Sequence, residues 1–120
     1  MFELSIKGDF CAAHRLRGYE GNCKDLHGHT WKVEVVLMGN QLDKIGMVMD
    51  FKVAKMKLKE VLAGMDHVYL NDLSAFQNNN PTTENLSKHI FEEFSRVCQP
   101  FQLKRVQVWE SESASVTYYS

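Results

Sequence analysis

The feature that most constrains the fold is a pair of stretches in which apolar and polar residues alternate and the apolar positions share their parity with histidines. Over residues 2–14 the apolar side chains fall mainly on even positions, and His14 has the same parity. Over residues 30–38 they fall mainly on odd positions, the parity of His27 and His29. Alternate side chains of a strand point to the same face of a sheet. The pattern predicts two half-buried strands, the first with a break near Gly8, and places the three histidines on the buried face.

Three imidazoles on a buried face predict a metal site. A buried polar group costs free energy unless it has a partner. Three histidines and a water form the open tetrahedral site that is typical of catalytic zinc. The alternative is three independent histidines with ordinary hydrogen bonds. The in-phase spacing favours Zn²⁺ bound by His14, His27 and His29.

The rest of the chain predicts two helices and two more strands. Asp50 is a typical helix N-cap, and Gly64 is a plausible end for that helix. The stretch Pro81-Thr82-Thr83-Glu84 opens a second helix, with a threonine cap and an early carboxylate. Residues 103–110 and 114–119 alternate again. The order predicts an α+β fold, in which one four-stranded antiparallel sheet carries two helices on one face.

Composition limits the class of protein. The 120 residues predict one domain, 1–120, and the formal net charge of −1 favours neither nucleic acid nor a membrane surface. The chain has no apolar run of membrane-spanning length. The chain has only three cysteines, an odd number, which does not indicate a disulfide framework. This small number fits a reducing cytoplasm. Cys11 and Cys98 are expected in or near the core.

Several residues outside the histidine set have chemistry that a site would use. Cys23 lies four residues before His27, and a thiol beside a cation has a lowered pKa, which suits a base or nucleophile. The alternatives for Cys23 are a fourth zinc ligand or a passive small side chain. Asp66 and His67 form a dipeptide in which a carboxylate can orient an imidazole, or alternatively a helix exit with a solvated histidine.

Glu110 continues the apolar parity of the strand that contains it. A carboxylate there lies either in water at the sheet edge or against a ligand, and it is a good acceptor for the paired N–H groups of a guanidine-like heterocycle. Thr82 and Thr83 have a similar ambiguity between helix capping and ligand contact.

Together these residues resemble the 6-pyruvoyl-tetrahydropterin synthase superfamily, and most of all its branch of bacterial 6-carboxy-5,6,7,8-tetrahydropterin synthases of the queuosine pathway. The signature Cys23-x-x-x-His27-Gly28-His29 is the most specific element. The other motifs follow in family order along nearly the whole chain: Phe10-Cys11-Ala12-Ala13-His14-Arg15-Leu16, Met49-Asp50-Phe51, Asp66-His67-x-x-Leu70-Asn71, Pro81-Thr82-Thr83-Glu84-Asn85 and the Glu110 strand.

The resemblance implies a tunnelling fold, in which subunits close into a β-barrel and two trimers stack into a homo-hexamer with sites at subunit interfaces. It implies a zinc-dependent lyase that converts 7,8-dihydroneopterin triphosphate to 6-carboxy-5,6,7,8-tetrahydropterin, with release of acetaldehyde and triphosphate. Zinc would be held by the three histidines, and Cys23 would be the base, with Asp66 and His67 as its relay. The substrate would contact a further set of residues: Glu110 with Thr82, Thr83 or Glu84 at the pterin, and Arg15 and Lys32 at the triphosphate.

Three other functions stay open on the sequence. The pyruvoyl-forming synthase of the same superfamily eliminates triphosphate without cleaving the side chain. A zinc hydrolase would also use three histidines and a water. A pterin- or purine-binding module with a structural metal would bind without turnover.

Overall fold

A computed structural model describes residues 1–19 and 27–120, without the side chain of His27. Four antiparallel strands form one sheet in the order β1-β2-β3-β4, and two helices lie between β2 and β3 in the chain. No helix in these ranges is long and apolar enough to cross a membrane. The elements are β1 (Phe2–His14), β2 (His27–Gly39), α1 (Phe51–Ala63), α2 (Thr83–Val97), β3 (Gln102–Ser111) and β4 (Ala114–Tyr119). The predicted α+β architecture is confirmed.

The first strand is uninterrupted, and the second strand begins earlier than its clearest alternation predicts. β1 continues through Gly8 without a break, and β2 begins at His27 rather than at Thr30. The two strands pair residue for residue from Phe2 opposite Gly39 to His14 opposite His27. Gly8 favours a break by its own conformational propensity, but pairing with β2 keeps it in the strand. The hydrogen bonds of that pairing come from a distant segment, so local propensity does not predict them.

Both helices pack on the face of the sheet that carries the alternating apolar side chains. The core includes Phe10 and Trp31, whose rings stack with centroids 5.3 Å apart. Each fully buried large apolar side chain contributes about 1.5–3 kcal/mol relative to exposure. The helices contribute seven buried apolar side chains: Ala54, Leu58 and Leu62 from α1, and Leu86, Ile90, Phe91 and Phe94 from α2.

The helix ends follow the sequence closely. The carboxylate of Asp50 accepts the Lys52 backbone N–H at the start of α1, and the Thr82 hydroxyl accepts the Asn85 N–H at the start of α2. Such caps each contribute about 1 kcal/mol. Gly64 ends α1 in a right-handed conformation, so its freedom to adopt a positive φ is not used.

The two cysteines in the described ranges differ in burial. Cys98 is buried, as predicted, but Cys11 is exposed, so its placement in or near the core is wrong. Cys11 occupies an odd position of β1, and odd positions face away from the helices.

The opposite face of the sheet carries polar side chains that form hydrogen bonds between neighbouring strands. The Glu34 carboxylate accepts the Ser5 hydroxyl and lies 3.0 Å from the Arg105 guanidinium. The Ser5 hydrogen bond is the main cause that lowers the pKa of Glu34, followed by the Arg105 hydrogen bond and charge, against partial burial. The ion pair therefore ties β2 to β3 on the side away from the helices.

Replacing Glu34 with Gln should lower the free energy of unfolding at pH 7. Because the folded pKa of Glu34 is lowered, its contribution is present above the ordinary carboxyl pKa of about 4.3 and is lost as pH falls through the folded value. In urea titrations, the difference between the wild type and Glu34→Gln should shrink between about pH 5 and pH 3. Glu3→Gln, which breaks an exposed pair with Lys104, should cost less than about 1 kcal/mol. A Glu34 difference that is equal at pH 7 and pH 3 would contradict the assignment.

The absent side chain of Gly8 lets α1 approach β1. A Cβ there would lie 3.1 Å from Leu62 Cδ1 and 3.2 Å from Leu58 Cδ2. We expect Gly8→Val to lower the free energy of unfolding by about 1–3 kcal/mol through overpacking. Lys7→Val, at the neighbouring exposed position, should change it by no more than about 0.5 kcal/mol in the same urea titrations. Similar effects of the two variants would show that the helix is not closely packed at Gly8.

Candidate metal centre and active site

Three polar side chains from three strands converge at one end of the helix-facing side of the sheet. His14 ends β1, His29 lies near the start of β2, and Glu110 lies near the end of β3. The register places His29 opposite Ala12, so His14 is two residues farther along β1. Lys32 pairs with Trp109, which brings the end of β3 beside the start of β2. The parity of each strand then directs all three side chains to the same face.

The distances within this cluster suit a cation. Glu110 Oε1 lies 3.1 Å from His29 Nε2 and 3.8 Å from His14 Nε2. One ligand atom of each residue lies within 4.8 Å of the others, so His14, His29 and Glu110 are close enough to hold a metal ion. The predicted convergence of His14 and His29 is thus observed, and Glu110 joins them.

His14 is held in one orientation. Its side chain is 1% exposed, and its Nδ1 lies 2.8 Å from the backbone carbonyl oxygen of Pro81. A carbonyl only accepts, so Nδ1 carries the hydrogen and the lone pair is on Nε2, the nitrogen near Glu110. A metal-binding histidine usually makes just such a hydrogen bond through its other ring nitrogen. The residues present therefore fit a metal ion.

The indole of Trp31 forms the apolar wall behind the two imidazoles. Its ring centroid lies 4.9 Å from that of His14 and 5.0 Å from that of His29, in edge-on contacts. A wall of this kind excludes water from one side and strengthens the electrostatic interactions of the cluster.

Glu110 is oriented by the start of α2. Its Oε2 accepts a hydrogen bond of 3.1 Å from the hydroxyl of Thr83, which is buried. Thr82 uses its own hydroxyl as the helix cap, and Glu84 is exposed in the first turn. Of the three predicted substrate residues in this segment, Thr83 is the one that contacts the cluster through Glu110.

Two of the predicted site residues cannot be placed. Cys23 lies outside the described residues, as does the side chain of His27. The backbone of His27 begins β2 directly opposite His14. The roles of Cys23 as base and of His27 as ligand stay predictions.

Asp66 and His67 lie against the edge of β1, and their side chains face each other. His67 Nε2 is 3.5 Å from Asp66 Oδ2, while Asp66 Oδ1 accepts the Cys11 backbone N–H at 2.9 Å. His67 has a φ of 57°, a conformation that non-glycine residues rarely adopt, and its N–H donates to the Cys11 carbonyl at 2.6 Å. Two backbone hydrogen bonds to one strand residue therefore fix the pair, and strain of this kind is common at functional sites.

A surface groove of about 600 Å³ lies along this edge of the sheet and reaches His29. Its lining includes both His29 and His67. It is large enough for a small ligand. The remaining lining residues come from β1, the start of β2 and the covering segment: Cys11, Ala12, Ala13, Gly28, Thr30, Val68 and Tyr69.

The two predicted triphosphate partners lie in different places. Arg15 directly follows His14, and its backbone exchanges two hydrogen bonds with the side chain of Asn71, at 2.9 and 2.8 Å. Lys32 occupies an even position of β2 and lines a different groove, on the face opposite to His29. Both residues lie near the end of the sheet that carries the cluster, but Lys32 is on the opposite face.

Sequence reasoning did not identify the residues that support the end of β1. Asn80 exchanges two hydrogen bonds with the Arg17 backbone, just as Asn71 does with Arg15. The Arg17 guanidinium donates to the carbonyls of Phe76 and Asn79. Asparagine in a polar loop is common, so its residue type alone does not indicate such a partner.

Comparison with known proteins decides the family. A family model described as 6-pyruvoyl tetrahydropterin synthase matches residues 3–120. The chain belongs to the 6-pyruvoyl tetrahydropterin synthase family. The family predicted from the motifs is confirmed, and tetrahydropterin synthase relatives indicate a lyase-type enzyme.

Individual members of the 6-pyruvoyl tetrahydropterin synthase family are similar over almost the whole chain. A 6-carboxy-5,6,7,8-tetrahydropterin synthase of Synechocystis is 35% identical over 92% of this chain and 88% of its own. A dihydroneopterin monophosphate aldolase of Pyrococcus furiosus is 36% identical over 94% and 93%. The structure of 6-pyruvoyl tetrahydropterin synthase from Caenorhabditis elegans superposes with a TM-score of 0.90 and 28% identity, over 99% of this chain and 95% of that one. The fold is therefore the family fold.

Loss of one imidazole should abolish tight binding of a divalent cation. We expect His14→Ala to weaken zinc binding by more than the tenfold to hundredfold that is typical of a supporting residue, because a ligand atom is removed. Competition with a chelator of known affinity measures the change. His89→Ala is the matched control, since His89 is a residue of α2 that packs edge-on against Phe76. Equal zinc affinity in His14→Ala and the wild type would exclude His14 as a ligand.

Proposed function

We propose that this protein is a zinc-dependent lyase that converts 7,8-dihydroneopterin triphosphate to 6-carboxy-5,6,7,8-tetrahydropterin, acetaldehyde and triphosphate, as a step of queuosine biosynthesis. The observation that carries the proposal is the convergence of His14, His29 and Glu110 beside a groove that also contains His67. The Cys23-x-x-x-His27-Gly28-His29 spacing and the Synechocystis relative support the carboxy-forming reaction.

Zinc fits the donor set of the cluster. Imidazole nitrogen and carboxylate oxygen are common zinc ligands, and His14 already has the tautomer that binding requires. We assign the metal to His14, His27 and His29. When bound there, zinc would supply Lewis-acid stabilisation of negative charge that develops on the substrate side chain.

The protein residues would bind the pterin and move protons. Glu110 would accept the paired N–H groups of the pterin edge. The Thr83 hydroxyl, which donates to this carboxylate, lies next to that position. Thr82 and Glu84, next to Thr83 in the chain, are further candidates for the pterin edge. Arg15 is the better placed of the two candidates for the triphosphate, since it follows His14; Lys32 would need a substrate that reaches the other face of the sheet.

Cys23 would be the base that takes a proton from the substrate side chain, with Asp66 and His67 as its relay. The facing arrangement of Asp66 and His67 supports this assignment, because a carboxylate beside an imidazole can fix the orientation of the ring. The His67 side chain is 80% exposed at the sheet edge, where a group from another segment or another subunit can reach it.

We also propose that the protein works as a homo-hexamer, a dimer of trimers with active sites between subunits. β1 and β4 are the two edges of the sheet. Among the described residues, backbone hydrogen bonds cover β1 only in its last part, where residues 67–69 contact Cys11 and Ala13. Exposed edges favour pairing with another strand, and pairing between copies would close a barrel.

A second candidate is an aldolase that cleaves the side chain of dihydroneopterin monophosphate. The Pyrococcus furiosus relative of that name favours it, since its identity to this chain equals that of the carboxy-forming relative within one percentage point. Both reactions need a proton acceptor and stabilisation of enolate-like charge, so one scaffold suits both. The phosphate chain and the product distinguish them.

Incubation of the zinc-loaded protein with each phosphate ester, followed by product mass measurement, tests the assignment. We expect 6-carboxytetrahydropterin and acetaldehyde from the triphosphate, and no turnover after chelation of the metal. A pyruvoyl product would identify the elimination reaction instead. Cleavage of the monophosphate alone would identify the aldolase, and pterin binding without any product would indicate a binding module.

Cys23→Ala should lower kcat by at least about a hundredfold, the usual contribution of a proton-transfer group, while zinc content stays unchanged. Cys11→Ser is the control, because a hydroxyl can keep the side-chain contact with Thr30. Normal turnover by zinc-loaded Cys23→Ala would exclude this thiol as the base.

A further inference from the structure

Both oxygens of the Glu110 carboxylate are engaged within the cluster. Oε1 lies 3.1 Å from His29 Nε2 and 3.8 Å from His14 Nε2, and Oε2 accepts the Thr83 hydroxyl. The carboxylate is therefore oriented with one oxygen toward the metal centre and the other toward α2.

The position of Oε1 is compatible with that of a metal ligand. Two ligands about 2.0–2.1 Å from a zinc ion, at a tetrahedral angle, lie roughly 3.3 Å apart. The two measured distances, 3.1 and 3.8 Å, fall on either side of this spacing. The Thr83 hydrogen bond to Oε2 is the kind of outer contact that orients a carboxylate bound to metal through a single oxygen.

The same carboxylate cannot also hold a heterocycle in this orientation. A planar edge with two parallel N–H donors needs both carboxylate oxygens at once. Such an edge can bind Glu110 only after Oε1 leaves the histidines and Oε2 leaves Thr83.

We propose that Glu110 is a ligand of the metal in the resting enzyme and that the pterin edge takes it away from the metal. The inference rests on the proposed function for the identity of the heterocycle. Release of Glu110 by a bound heterocycle would then free one metal-binding position, and in the absence of a heterocycle this carboxylate would keep other anions from that position. It follows that metal and heterocycle oppose each other's binding through Glu110, by the same factor in both directions.

The test uses pterin itself, which has the paired N–H edge but no side-chain oxygen that could reach the metal. We expect the Kd of pterin for the wild type to be at least about fivefold higher with zinc bound than without it, at the lower end of ordinary coupling between sites. Calorimetry on the metal-free and zinc-loaded protein measures both constants. An equal or lower Kd in the zinc-loaded protein would overturn the proposal.

A second measurement does not depend on pterin affinity. With Co²⁺ in place of zinc and no pterin present, Glu110→Gln should change the visible absorption of the metal, because an anionic oxygen ligand is lost. Glu112→Gln, which removes an exposed carboxylate from the turn after β3, should leave the spectrum unchanged. Identical Co²⁺ spectra for the wild type and Glu110→Gln would overturn the proposal. Neither measurement involves turnover, so a negative result in either would leave the lyase assignment intact. Absence of product from dihydropterin phosphates would overturn the lyase assignment alone.

Discussion

The residue-by-residue pairing of β1 with β2 is the constraint on which the candidate site depends. Thirteen consecutive residue pairs fix the register of β2 against β1. A shift of β2 by one residue would turn His29 to the opposite face of the sheet. That register is itself enforced by the apolar side chains on the helix-facing side, which would become exposed in any shifted alignment. Core packing and the position of the imidazoles are therefore consequences of the same pattern.

The end of β1 is stabilised beyond the last strand pair by side chains rather than by another strand. Asn71 and Asn80 each offer one acceptor and one donor to a residue after His14, in the way that a neighbouring strand would. An amide side chain has the same two groups as a peptide unit, so it satisfies exposed backbone without extending the sheet. This leaves the chain free to turn away after Arg17 while His14 stays fixed.

Local patterns predicted most of the fold and part of the site. Parity identified the buried face and brought His14 and His29 together, and the caps at Asp50 and Thr82 were recognisable from residue type. The contact of Glu110 with the histidines was not predicted, because it depends on the alignment of β2 with β3 across the two intervening helices. The exposure of Cys11 also follows from parity, which the expectation of a buried thiol did not take into account. The supports from Asn71 and Asn80 join positions more than fifty residues apart, and no local signal identifies such partners.

The start of α2 supports two members of the cluster at once. The carbonyl of Pro81 accepts from His14, the hydroxyl of Thr83 donates to Glu110, and Thr82 between them caps the helix. Fraying of this first helical turn would release an imidazole and a carboxylate together, so the centre and the helix terminus open as one cooperative unit. A bound cation would oppose that opening, so the backbone amides of the first turn of α2 would exchange their hydrogens more slowly when the cation is bound.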